Sequence, residues 1–391
     1  MKHKTLAKGV IALSVLTSSI LYATNGDALI GIGIKTRGMG GAGIAYGQGA
    51  ESALLNPALI TDIAGNEISF GATIFMPDIK TSIGGAPQST SEADISMIPE
   101  VSLAHNLGDG YYIGYGMWGT AGMGVDFKNT PSAMNMNTQL QLMQLAIPMA
   151  YKAGGLSIAI APVVQYGSLD INYQQPGNLK VGDGVSSDFG YGFNIGATYG
   201  LDNGFNIGAV YKSAIEMEYA TQLTNAATPF GIALPDGDHL DQPAEYGIGI
   251  SYSSNGHSIA IDYKRIAWSD AAGYREFKWE DQDVFAVGYQ YARDNWALRL
   301  GYNHATSPIS EQLNPAINVF NLLGFPATAE DHYSMGGSYT FSESFTADIA
   351  VVYSPKSEKS FNITGLGIPG NNLIVNKHTE TSISMQVTYK F

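Results

Sequence analysis

The chain reads as an all-β protein: a transmembrane antiparallel β-barrel of about fourteen strands, its lumen plugged by an N-terminal segment. Three observations carry that reading. From Asn66 to the C-terminus apolar residues recur with period two, the mark of strands with one apolar and one polar face. Tight turns alternate with long loops along the same stretch. The composition suits a membrane more than water, because 14% of residues are charged against about 25% in soluble domains. The hydrophobic share of 45% and aromatic share of 11% exclude a disordered chain. With no cysteine there is no disulfide scaffold and no Cys-ligated metal site. A net charge of −14 lacks the basic footprint that nucleic acid needs, so no nucleic-acid partner is expected.

The elements follow in chain order. Lys2, Lys4 and Lys8 precede an apolar run from Gly9 to Leu21, and Leu21-Tyr22-Ala23 offers a small-residue cleavage site. Residues 1–23 are therefore expected to be a secretory signal peptide; the run is shorter than the roughly 20 residues needed to span as a helix. No later stretch reaches 18 consecutive apolar residues, which excludes a helical membrane protein. A secreted soluble protein or a barrel in the outer membrane of a Gram-negative bacterium remains.

Residues 24–65 do not alternate. They are glycine-rich around Arg37-Gly38-Met39-Gly40-Gly41-Ala42-Gly43, and a short helix over 50–55 is expected to stop at Asn56-Pro57. No GK[ST] follows the glycines, so a phosphate-binding loop is not indicated. A fourteen-strand barrel is too wide for its own side chains to fill, and this segment has the size to plug it.

Residues 66–391 form the barrel. Ile383, Met385, Val387, Tyr389 and Phe391 alternate with Ser384, Gln386, Thr388 and Lys390, and the stretches 296–302 and 345–353 do the same. Tight turns are read at 108–110, 153–155, 202–204, 254–256, 293–295 and 342–344. Longer loops are read near 77–94, 125–138, 174–187, 222–242, 268–280, 304–331 and 355–379. Six turns and seven loops join fourteen strands, an even number, with the short and long connections on opposite sides as in outer-membrane barrels. Aromatic residues at the strand ends suit interfacial girdles. The terminal Phe391 after an alternating strand fits a recognition signal for the barrel-insertion machinery, and the outer face is expected to meet membrane lipid and lipopolysaccharide.

The glycine-rich run followed by Asn56-Pro57-Ala58-Leu59-Ile60-Thr61 resembles the N-terminal hatch of the FadL/TodX family of outer-membrane transporters for long-chain fatty acids and other hydrophobic compounds. Trp268-Ser269, Asp294-Asn295-Trp296 with Arg299, Ser307-Pro308 and the aromatic C-terminus fall in similar order, so the likeness spans nearly the whole chain after the leader. The resemblance implies a hatch that blocks the lumen, here with Arg37, Gly38, Gly40, Gly41, Asn56, Pro57 and Ala58. It implies ligand capture at an outer hydrophobic groove, transfer to a lumen pocket, and sideways release through an inward kink of the third strand. The residues point to the same place independently: the strand starting at Tyr111 loses its alternation at Gly119, Gly122 and Gly124, and glycines within a strand mark a bulge or bend.

Two loops expected on the outside carry unusual apolar patches: one with Met134 and Met136, the other with Ile317, Phe320, Leu323 and Phe325. Such patches mark binding surfaces and are read here as the capture groove. Substituting Phe320 and Leu323 with Ser is expected to weaken capture and leave the barrel folded. The cations open to an acidic head group are Lys212, Lys264, Arg265, Arg275, Lys278 and Arg299, with Arg299 first because it lies on the polar side of its strand. The family's basic position near Ser168-Leu169-Asp170 has no cation in this chain. A second Asn-Pro-Ala at Asn314-Pro315-Ala316 reads as coincidence. The histidines are scattered and no catalytic constellation or metal-ligand spacing stands out; neither enzyme activity nor a cofactor or metal is expected. Passive uptake of long-chain fatty acids is the first functional reading. Aromatic hydrocarbon uptake comes second, and a general porin or a surface protein on a barrel frame are the alternatives.

Overall fold

The computed structural model describes residues 24–175 and 179–391; the expected leader lies outside them. Among the described residues fourteen long strands close into one antiparallel barrel. They are β1 (Asn66–Ile83), β2 (Ser96–Gly108), β3 (Tyr111–Asp126), β4 (Asn137–Ala146 and Met149–Ala153), β5 (Leu156–Gln174), β6 (Ser186–Gly200) and β7 (Phe205–Lys212). The second half contains β8 (Glu245–Ser254), β9 (His257–Ile266), β10 (Gln282–Arg293), β11 (Trp296–Ala305), β12 (Asp331–Ser342), β13 (Phe345–Asn362) and β14 (Leu373–Lys390). Each strand pairs with the next, and β14 returns to β1 in a register running from Ile374↔Ile83 to Lys390↔Glu67. That seam removes the free edges that would otherwise be exposed to lipid.

Alternation sets the two faces of the wall. In β5 Ser157, Ala159, Ala161, Val163 and Gln165 point inward and are buried, while Leu156, Ile158, Ile160 and Tyr166 face outward. Cross-strand aromatic pairs form two belts. Tyr111–Tyr151, Phe205–Tyr252 and Phe341–Phe345 lie at the turn end, and Tyr166–Phe189, Tyr211–Tyr246, Tyr263–Phe285 and Tyr302–Tyr333 at the loop end. Rings that are apolar on the face and polar at the tip suit the two membrane interfaces. The six short turns fall where the sequence places them; Asp109, Asn255 and Asp294 adopt φ of 51°, 50° and 52°, which short polar side chains tolerate.

Two loops are shorter than the sequence suggests. β1 runs on to Ile83, β13 to Asn362, and β14 begins at Leu373. Charged residues there read as loop but decorate hairpins that continue past the loop-end belt. They pair with one another: Lys80 with Asp78 at 2.6 Å, and Lys356 and Lys377 with Glu358 at 3.1 and 3.7 Å. β4 is interrupted at Ile147-Pro148, where proline has no N–H for the ladder, and the Pro148 carbonyl instead accepts from Gly114 N at 2.8 Å.

Residues 24–65 lie within the barrel. A short hairpin pairs Thr24–Asn25 with Ala28–Leu29, α1 spans Ile34–Arg37, and single 3₁₀ turns follow at Ala50–Leu54 and Pro57–Asp62. The segment touches inward-facing groups around the wall. Asp262 of β9 accepts from Gly43 N and Ile44 N at 2.6 and 2.8 Å, Asn303 of β11 donates to Gly40 O at 3.2 Å, and Thr61 meets Ser157 of β5 at 2.7 Å. Glycine on both partners allows the approach: a Cβ on Gly301 would stand 2.0 Å from Gly40 N. At the loop end the lumen is capped by α2 (Gln222–Ala227) and by α3 (Pro315–Val319), which runs into a wider turn at Phe320–Gly324.

Candidate functional site

Among the described residues the wall divides between β2 and β3. β2 and β3 pair from Gly108↔Tyr111 only as far as Glu100↔Trp118. Beyond that point Ser96–Pro99 stay in register with β1 and leave the ladder with β3. On the other side Gly119–Asp126 bond to β4, with a register shift between Gly119 and Ala121. Every residue from Trp118 to Val125 is buried, so the outward alternation is lost and the strand has turned into the lumen. The inner hairpin takes the position that β2 vacates: Ala28 pairs with Ala121, and Gly122 N donates to Asp27 O at 2.9 Å. The three glycines differ in role. Gly119 flanks the register shift, Gly122 supplies the bonded amide, and a Cβ on Gly124 would stand 2.1 Å from Thr138 O.

Arg37 sits at the foot of this gap. It is 2% exposed, pairs with Glu100 and donates to Thr73 Oγ1 at 2.7 Å. Glu100 is the last β2 residue paired with β3, so one buried ion pair joins the inner segment to the point where the wall divides. Glu51 caps α1, accepting from Lys35 N at 2.9 Å and Thr36 N at 3.3 Å, and takes 2.5 Å from Gln386 of β14. Burial pushes its carboxyl up to about 7. Gly38 packs against Gly336 and Arg299, and Gly41 (φ +83°) leaves no room for a side chain beside Ile30 O. Asn56 caps the turn begun by Pro57, accepting from Ala58 N at 3.1 Å, and donates to Ile44 O at 2.8 Å. Asn314 repeats this cap before α3, accepting from Ala316 N at 3.0 Å. The second Asn-Pro-Ala is thus the same local device, a short side chain capping a turn whose φ proline presets.

Above the hairpin a small apolar chamber is lined by Met123 of β3, Ile171, Leu223, Phe277, Trp279 and Phe325. Its polar groups already have protein partners. Asn321 donates to Phe277 O at 3.0 Å and accepts from Trp279 Nε1 at 3.3 Å, and Tyr274 donates to Asp27 Oδ2 at 2.5 Å. Burial pushes the Asp27 carboxyl up to about 6. The apolar loop side chains build this region from within. Met136, Phe320 and Leu323 are at most 1% exposed and Ile317 is 5% exposed, while Met134 and Phe325 are half-buried. Phe320 packs against Tyr173, Phe230 and Phe277. The expectation of outward-facing apolar loops is corrected on this point: the lumen is too wide for strand side chains to fill, and these loops bury their apolar surface by folding into it.

The cations sort by position. Arg299 is 5% exposed and donates to Ser338 Oγ at 2.6 Å beneath Gly38, away from the chamber. Arg275 is committed to Asp236 and Glu276 on an outer loop, Lys278 is exposed on that loop, and Arg265 bonds Asp281 and Asp283. Lys212 and Lys264 stand apart. Both face the lumen and share one acid, Glu245, at 3.2 and 3.6 Å. They line a second cavity with Thr120 and Ala121 of β3 and with Ala28–Ile32. Asp262 of β9 lies within electrostatic reach of Lys264 and supplies a second acid, and the Thr120 hydroxyl in the same cavity has no hydrogen-bond partner among the described residues.

The family model described as outer membrane protein transport protein (OMPP1/FadL/TodX) matches residues 28–391. The chain belongs to this family. Its members are outer-membrane transport proteins, not enzymes, and the barrel has the family's architecture. The long-chain fatty acid transport protein of Salmonella typhi is 24% identical over 404 residues, covering 89% of this chain and 90% of that protein. In fold, a Pseudomonas aeruginosa FadL homologue superposes with a TM-score of 0.75 at 17% identity, covering 94% of this chain and all of the homologue. The Pseudomonas putida toluene transporter TodX gives 0.68 at 17% identity, over 93% of this chain and 99% of its own.

Proposed function

We propose that this protein carries hydrophobic molecules from the outer surface into the loop-end chamber and releases them sideways through the β2–β3 gap, with residues 24–65 acting as the hatch. The observation that carries the reading is the end of β2–β3 pairing at Glu100↔Trp118 beside an apolar chamber. Lipopolysaccharide presents a polar layer to an apolar solute, so an apolar path opening into the hydrocarbon region bypasses it. Long-chain fatty acids are the first substrate class, since Lys212 and Lys264 place two ammonium groups in a cavity beside the kink, where an acidic head group could bind. Uncharged aromatic compounds are the second reading, favoured by a chamber whose polar lining is already bonded and which no cation lines. Phe391, 59% exposed after β14, is proposed as the mark read by the insertion machinery.

The test is uptake of labelled oleate and labelled toluene by a Gram-negative host lacking its own family member, with native protein and with Lys212→Gln/Lys264→Gln. Oleate uptake that falls at least tenfold in the variant, with toluene uptake unchanged, supports the fatty-acid reading. Toluene uptake alone moves the assignment to hydrocarbons. A diazirine-bearing fatty acid should label Met97 and Met123 at the gap; labelling at Asp62 and Lys152, at the turn end, would sink the lateral route.

A further inference from the structure

Near the loop end a buried carboxylate lacks a permanent counter-charge. Glu380 of β14 is 0% exposed, and among the described residues its ion-pair partners are two histidines: His332 Nε2 at 3.1 Å and His378 Nε2 at 3.2 Å. His378 Nδ1 stands 3.2 Å from the Pro326 carbonyl, which can only accept, and 3.4 Å from the Thr328 hydroxyl; the carbonyl contact is a hydrogen bond when Nδ1 carries the proton. A neutral ring then turns the bare lone pair of Nε2 toward Glu380. Asp78 of β1 adds further negative charge near His378. A buried carboxylate costs several kcal/mol unless paired, and imidazole supplies full charge only when protonated.

The missing cation can come from the inner segment. Thr24 N donates to Glu380 Oε2 at 3.2 Å, and Thr24 Oγ1 lies 3.5 Å from Oε1. Thr24 is the residue that cleavage after Ala23 would make the first of the processed chain. Cleavage turns this one nitrogen from a neutral amide into an ammonium, in a place already built to receive it. We propose that Glu380, His332 and His378 form a receptor for the α-ammonium group of processed Thr24. The hairpin is then tied to the wall at two points: to β3, on one side of the gap, through Ala28↔Ala121, and to β14, beyond β1 and β2 on the other, through a charge-assisted bond. Leader removal thereby completes the fitting of the hairpin into the space β2 leaves. The proposal rests on the signal-peptide reading and is independent of which molecule is carried.

The test uses full-length protein exported and purified in detergent, with barrel integrity checked by heat-modifiable gel migration and the N-terminus read by mass spectrometry. The α-amine is labelled with an amine-reactive ester at pH 7, and hydrogen exchange is followed over residues 24–32. The native α-amine should label about tenfold or more slowly than that of Glu380→Gln, and the hairpin amides should exchange correspondingly more slowly. A second variant inserts one glycine between Ala23 and Thr24, moving the ammonium away while leaving Glu380 intact; it should label as fast as Glu380→Gln and keeps the test valid if that variant fails to fold. A processed chain beginning at another residue, or a native α-amine as reactive as in the variants, overturns the proposal.

Discussion

Replacing Arg37 with Ala should loosen the inner segment from the wall without breaking the barrel. The guanidinium makes its two polar contacts to Thr73 Oγ1 and to Glu100, both on strands of the wall. Glu100 is 3% exposed, and its second oxygen already lacks a bonded partner. Truncating Arg37 therefore strands a buried carboxylate, a change that costs about 3–5 kcal/mol. At 1.36 kcal/mol per decade this raises the undocked population by roughly two to four orders of magnitude. Planar-bilayer recording should show long openings for Arg37→Ala where the native channel is quiet. Arg37→Met/Glu100→Met removes both charges and restores apolar packing, so it should recover most of the loss, within about 1 kcal/mol. A quiet Arg37→Ala channel, or a double variant leakier than the single one, would refute the view that this ion pair seats the segment.

Gly301→Val should expel the inner segment and give steady conductance, because its Cβ would stand 2.0 Å from Gly40 N, whereas Gly337→Val on the next strand, with no atom closer than 3.7 Å, should behave as native in the same recordings. Phe320→Ala should destabilise the loop-end cap by about 3–5 kcal/mol, seen as protease cleavage within 306–330; this replaces the expectation that Ser at Phe320 and Leu323 would act on ligand capture alone. Docking of the inner segment should depend on pH through Glu51. Its carboxyl is raised from 4.5 to about 7, so the stability it confers is fully present below 4.5 and is lost as pH rises through about 7, by roughly 3 kcal/mol at most. Channel openings should accordingly become more frequent from pH 5 to pH 8, and Glu51→Gln should flatten the profile.

The barrel was legible because alternation and turn spacing are local properties. Ile383 to Phe391 show one apolar face whatever the rest of the chain does, and Asn203-Gly204 or Asn255-Gly256 announce a reversal unaided. The glycine run at 119–124 announced a disturbance in β3, but not that the hairpin would occupy the vacated edge, since that pairing joins residues far apart in sequence. The apolar loops were misread for a physical reason: hydropathy tells how strongly Phe320 and Leu323 avoid water, not in which direction they leave it. The cations illustrate the same limit. Arg299 lies on the polar face, as its alternation requires, yet beneath the inner segment. Lys212 and Lys264 drew no special notice because their shared acid, Glu245, is brought to them by strand register. The Glu380 cluster gave no signal at all, its members being spread over β12, β14 and the segment ahead of the first strand.

The seam between β14 and β1 also sets an order of construction. It joins the last strand of the chain to the first, so the cylinder stays open until nearly every residue has been delivered, and contacts so distant in sequence form late. Residues 24–65 precede β1 and end up enclosed. They cannot be threaded afterwards through a wall whose strands are bonded, so they must be gathered against the curling sheet before the seam zips. A variant that binds its inner segment weakly thus faces a hazard during biogenesis distinct from leakage in the finished protein: a cylinder sealed around an empty interior, with residues 24–65 left outside.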